Sequence, residues 1–134
     1  MSETRSGQCA CGKIRLVVEP SEGAGILHCH CHNCRRITGN FVAAVRCSTE
    51  NLTVDDPDGC LSAFDLGFAT YGFCSGCGAT LWFRPTEGHG ETSVMAGVLD
   101  DTEGFEVQAV WFSHEAQSHH ELPANVPHFE GNDE

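Results

Sequence analysis

The chain has 134 residues, 40% of them hydrophobic, with 19 acids against seven bases and a formal charge of −12. That length reads as a single domain, 1–134, able to bury roughly two-thirds of its unfolded surface without staples. The charge opposes phosphate backbones and excludes a nucleic-acid role, and no apolar run reaches the roughly 20 residues that cross a bilayer.

The first five residues, Met1 to Arg5, contain no apolar export segment, so the expectation is a cytoplasmic protein. After the cluster Cys9-Ala10-Cys11-Gly12 the pattern predicts strands over 13–18 and 26–31. A helical turn over 33–38 follows, closed by Gly39. Strands over 41–46 and 51–54 precede the Asp-rich break at 55–59; strands over 61–66 and 69–73 lead into Cys74-Ser75-Gly76-Cys77-Gly78. Strands over 79–84, 92–98 and 105–112 complete the set, with a glycine-rich break at 86–91. No segment has a long 3.6-residue apolar period, so the class is mainly β. From Ser113 the tail is polar and rich in His and Glu, and its last few residues are expected to be mobile. Six of the bases are Arg and one, Lys13, is Lys. A salt-adapted source would give this acid-rich, lysine-poor surface, and so would a weakly selected acidic one.

Seven of the nine cysteines fall into three tight clusters. In a reducing compartment C-x-C and C-x-x-C spacings point to metal ligands ahead of disulfides or an iron–sulfur cluster. A disulfide within C-x-C is also strained. Cys9, Cys11, Cys74 and Cys77 form two pairs, each followed by a glycine that tolerates the tight turn of a metal knuckle. Four sulfurs make a closed tetrahedral zinc site. The alternative is one metal-binding pair beside a buried thiol pair.

Cys29, Cys31 and Cys34 supply three sulfurs and leave one position open. On an extended strand Cys29 and Cys31 share a face, and His28, His30 and His32 take the other. Zinc held by three thiolates is a Lewis acid with room for a ligand. Arg35 and Arg36 follow at once and are candidates to hold a substrate carboxylate. A fourth protein ligand, from His28, His30, His32, Cys47 or Cys60, would instead close the site and make it structural. A histidine of the three is a candidate general base by residue type. Cys47 and Cys60 have no motif spacing and read as small buried hydrophobes.

The run Gly7-Gln8-Cys9-Ala10-Cys11-Gly12, then Cys29-His30-Cys31-His32-Asn33-Cys34-Arg35-Arg36, then Gly72-Phe73-Cys74-Ser75-Gly76-Cys77-Gly78 and Gly97-Val98-Leu99-Asp100-Asp101, resembles the glutathione-dependent formaldehyde-activating (GFA) and centromere-protein-V-like (CENP-V) family. The ending from Glu121-Leu122-Pro123 to Pro127-His128-Phe129 is similar as well. The resemblance implies an Mss4-like fold of small stacked antiparallel sheets with zinc knuckles. It assigns Cys9, Cys11, Cys74 and Cys77 to a structural zinc, and Cys29, Cys31 and Cys34 to a second, catalytic zinc. It also implies carbon–sulfur lyase chemistry on adducts of a small thiol, glutathione or an analogue, with a carbonyl compound. The chain departs from the family's pattern at His119-His120, where many members carry an aromatic residue. The competing class is a non-catalytic, zinc-scaffolded interaction module, because fold does not dictate function.

Overall fold

A computed structural model describes residues 3–88 and 90–131. Among these residues ten strands form two sheets. The small sheet has β1 (Arg5–Gln8), β2 (Arg15–Val18) and β5 (Leu52–Asp55) in the order β1-β2-β5, all antiparallel. The large sheet draws on β3 (Ile26–Cys29), β4 (Val42–Ser48), β6 (Leu61–Asp65), β7 (Ala69–Cys74), β8 (Thr80–Pro85), β9 (Glu91–Met95) and β10 (Val107–Trp111). Its order is β10-β3-β4-β9-β8-β7-β6. Among the described strands β10 and β3 are the one parallel pair; their join carries a register shift between Val107 and Ala109.

Strand chemistry sets the layers. In β2, Leu16 and Val18 are buried while Arg15 and Val17 are exposed, so the small sheet has one dry face. In β4 the alternation runs on both sides. Val45 and Cys47 join a core with Ile14, Leu16, Val18, Leu81 and Val94, between the sheets. Val42 and Ala44 join a second core with Leu27, Tyr71, Met95 and Trp111. The large sheet is therefore covered on both faces, by the small sheet on one and by the short helix α1 (His32–Thr38) and parts of the tail on the other.

Nine strands lie where the apolar pattern places them, with ends shifted by up to a few residues. The exception is β1, whose Arg-Ser-Gly-Gln has no apolar alternation and is held by pairing with β2. The strand expected over 92–98 stops at Met95 and gives way to a 3₁₀ turn, Ala96–Val98. The polar tail docks: Val110 N–H donates to Pro127 O at 3.0 Å and Phe129 N–H to Val110 O at 2.9 Å. That contact covers the open edge of β10. The mobility expected of the last few residues concerns mainly 132–134, outside the described residues.

Candidate functional site

The first knuckle lies between β1 and β2. The Ile14 amide donates to Cys9 Sγ at 3.4 Å, the Gly12 amide to Cys9 O at 3.1 Å, and Gly12 adopts φ +80°. The second lies between β7 and β8 and uses the same device, with the Gly78 amide on Cys74 O at 2.7 Å and φ +81° at Gly78. Both glycines occupy backbone that a side chain would strain. The four sulfurs of Cys9, Cys11, Cys74 and Cys77 all lie within 4.8 Å of one another. Cys9 and Cys11 are 3.6 Å apart, Cys11 and Cys74 3.8 Å. A tetrahedron with metal–sulfur bonds of about 2.3 Å has edges of about 3.8 Å, so the set is compatible with zinc. Burial raises the Cys9 thiol, but the Ile14 amide and the neighbouring thiols outweigh it and bring it down to about 6. Burial pushes Cys74 up to about 12. Such a cluster loses some protons readily and resists losing all of them without a cation at its centre.

The triplet is built at the junction of β3 and α1. The strand ends at Cys29, and Cys31 is the N-cap of the helix, its Sγ accepting the Cys34 amide at 3.4 Å. The helix closes on Gly39 in the left-handed region, as its sequence predicts. The sulfurs of Cys29, Cys31 and Cys34 lie within 4.8 Å of one another. No fourth His, Cys, Asp or Glu atom joins them among the described residues. Hydrogen bonds from the Cys29 and Cys34 thiols hold Cys31 far below the usual thiol range. The same two contacts with Cys31 and Cys34, and burial, push Cys29 far above it. One thiolate forms easily and the next two lack a counter-charge. A thiophilic cation would supply it, so this donor set too fits zinc.

A cavity of about 780 Å³ opens on Cys29 and Cys31. Phe68, Phe83, Trp111 and Phe112 wall it, with His32, Asn33 and the carboxylates of Glu87 and Glu115 among its polar groups. The volume falls within the range of small-molecule sites. Glu115 Oε1 accepts the His32 amide at 3.0 Å and lies 3.6 Å from His32 Nε2.

The histidines separate in a way that an extended strand does not foretell. Because the helix starts at His32, that ring goes to the cavity instead of sharing a face with His28 and His30. His28 and His30 pack on Phe41, at 4.6 and 4.7 Å between ring centroids, and His120 of the tail meets His30 at 5.1 Å. Burial holds His30 down to about 4, with the charges of His120 and His28 adding to it. His120 thus packs on both Phe41 and His30. Arg35 and Arg36 sit in the last turn of α1 and are not among the residues lining the cavity. Cys47 is fully buried in the core between the sheets. Cys60 is only half-buried and stands near the four-cysteine cluster: a Cβ at Gly76 would lie 3.6, 3.7 and 3.9 Å from the sulfurs of Cys74, Cys11 and Cys60. Sequence reasoning missed Tyr71, whose hydroxyl lies 3.8 Å from Cys34 Sγ. Nothing in its local pattern separates it from an ordinary strand aromatic.

Two stacked sheets bearing one four-sulfur and one three-sulfur cluster define a mainly-β, metal-compatible domain. The sequence matches the family described as glutathione-dependent formaldehyde-activating enzyme over residues 4–115, and the chain belongs to that family. Among solved structures it is similar to a Rhodobacter sphaeroides protein at 23% identity and a TM-score of 0.63, covering 92% of this chain and 98% of that one. That likeness supports the fold. No curated protein matches the chain.

Proposed function

We propose that the chain is a zinc-dependent, carbon–sulfur lyase-like enzyme acting on adducts of a small thiol with a carbonyl compound. The observation that carries this reading is the three-sulfur cluster without a fourth ligand, opening on a cavity. Cys9, Cys11, Cys74 and Cys77 would hold a structural zinc; Cys29, Cys31 and Cys34 would hold the second. Zinc at the second site supplies Lewis acidity that keeps a sulfur ionised at neutral pH. The surrounding residues do the rest. The aromatic walls would pack against the carbon side of a bound adduct. As a hemithioacetal splits, the carbon–sulfur electron pair leaves with sulfur and the hydroxyl proton must go to a base. His32, which lines the cavity and lies 3.6 Å from Glu115 through Nε2, would be the base that accepts it. A reducing compartment suits nine free thiols.

The test is metal analysis followed by calorimetry. Two zinc ions per chain are expected, the second removed first by a chelator. Zinc-loaded protein titrated with glutathione, cysteine, coenzyme A and the cationic thiol thiocholine should bind at least one of them, and Cys31→Ser should abolish that binding. Absence of binding by every thiol would sink the enzyme reading. It would favour the non-catalytic interaction module, for which Phe64 on edge strand β6 and the nearby Leu66, both exposed, offer a contact surface.

A further inference from the structure

The cavity wall is chemically one-sided. Four aromatic rings surround the approach to Cys29 and Cys31, and Phe68 is still 48% exposed there. A partly exposed ring at a cavity mouth is surface that an apolar ligand would cover. The charged side chains of the wall, His32 apart, are both acids, Glu87 and Glu115. No Lys or Arg is among its described residues. Arg35 and Arg36 lie on the helix outside it, and Arg46, whose guanidinium is 5.5 Å from the Trp111 ring centroid, is not part of it either.

Two consequences follow for a ligand. A carboxylate in this cavity would face two like charges, and a chain of charge −12 repels an anion on approach. A cation meets the opposite conditions: two carboxylates, and aromatic faces that attract it through their quadrupoles. A one-carbon carbonyl compound would leave the rings uncovered, whereas an aryl group would stack on them.

We propose that this site takes the hemithioacetal of a cationic thiol with an aromatic aldehyde, in preference to that of an anionic thiol with a one-carbon aldehyde. The inference rests on the reading of the site as a thiol-adduct lyase and names its substrate class. The step balances without a co-reactant. The carbon–sulfur bond breaks with its electron pair going to sulfur, the hydroxyl oxygen becomes the aldehyde oxygen, and the hydroxyl proton is passed on to give thiol plus aldehyde. Phe68 and Glu87 are the specificity-determining residues for the two ends of the adduct.

The experiment uses the zinc-loaded full chain. Thiocholine, ethanethiol and 3-mercaptopropionate give a cationic, neutral and anionic series; benzaldehyde and formaldehyde give the carbonyl series. Exchange between free and adduct forms is followed by magnetisation transfer, and thiol binding by calorimetry. Thiocholine should bind and turn over roughly tenfold better than 3-mercaptopropionate at low salt, the gap shrinking as salt is added. Benzaldehyde should be preferred to formaldehyde by roughly tenfold. Glu87→Gln should narrow the charge preference and Phe68→Ala the aldehyde preference, each with the fold and the four-cysteine zinc retained, because Glu87 is exposed and Phe68 is 48% exposed. Equal or better binding and turnover of 3-mercaptopropionate or glutathione with formaldehyde would overturn the substrate class and leave the lyase reading standing. Failure of every thiol–aldehyde pair to exchange would overturn both.

Discussion

At Cys34 a hydroxyl, that of Tyr71, reaches the three-sulfur cluster. Tyr71 is 3% exposed, and burial, then the charge of Cys34, pushes its phenol well above the usual range. It therefore keeps its proton, and at 3.8 Å it can donate to the Cys34 sulfur once a metal holds that sulfur as thiolate. A donor of this kind orients a ligating sulfur without touching the metal, and its loss costs roughly 10–100-fold in metal affinity. Tyr71→Phe is expected to weaken zinc retention at Cys29, Cys31 and Cys34 by that order and to leave the four-cysteine site unchanged. Chelator competition resolving two zinc populations checks it; equal loss from both sites would refute the positioning role. Cys47 shows the opposite case. Burial pushes its thiol up to about 11, Arg84 lowering it and Glu91 raising it. It should resist iodoacetamide at pH 8 until the protein unfolds, as mass spectrometry of labelled peptides would show.

The element that ties the two sulfur clusters together is β7. Tyr71 faces the core that holds Cys29 and Cys34, while Cys74 belongs to the core between the sheets. Between them Gly72 pairs with Trp82 on β8, and the indole lies against the glycine where a Cβ would stand. Trp82 is itself buried, with the Arg84 guanidinium 4.1 Å from its ring centroid. A methyl group at Gly72 must therefore displace the ring. Gly72→Ala is expected to cost about 1–3 kcal/mol, as overpacking of a dense core does. The denaturant midpoint should fall with its slope unchanged; an unaltered midpoint would show that the ring moves freely. Helix α1 works differently. With seven residues it is too short to be stable alone, and it depends on its cap at Cys31 and on its own buried residue, Cys34, packing into the core.

For the whole molecule, the four-cysteine cluster joins the sheets, since Cys9 and Cys11 enter from the small one and Cys74 and Cys77 from the large one. Apart from core packing, a bridge between Gly7 and Leu99 also ties β1 to the segment after β9. Zinc bound there would act as a cross-link between layers, and its binding free energy would be folding free energy. Cys9→Ser is expected to lose that metal and to lower the melting temperature severely. A variant that kept both its zinc and its melting temperature would end the structural assignment. The overall charge of −12 predicts no retention of duplex DNA at physiological salt; micromolar, salt-sensitive binding in a filter assay would contradict it.

The amino-acid sequence alone determines the class, nine of the ten strands, the cap at Gly39 and the grouping of the seven clustered cysteines. These are local properties: period-two apolarity, glycine at positive φ, and sulfur spacing are written within a few residues. Only the tertiary structure places β1, a polar strand held by pairing with β2. It likewise decides that Tyr71 meets Cys34 across 37 positions of chain, and that His32 turns toward Glu115 while His30 is buried under His120. It decides too that Arg35 and Arg36 stand outside an aromatic and acidic wall drawn from three separate stretches of chain. Contacts between residues far apart depend on how the sheets stack, and stacking is fixed by the sum of buried surfaces, which no local pattern records.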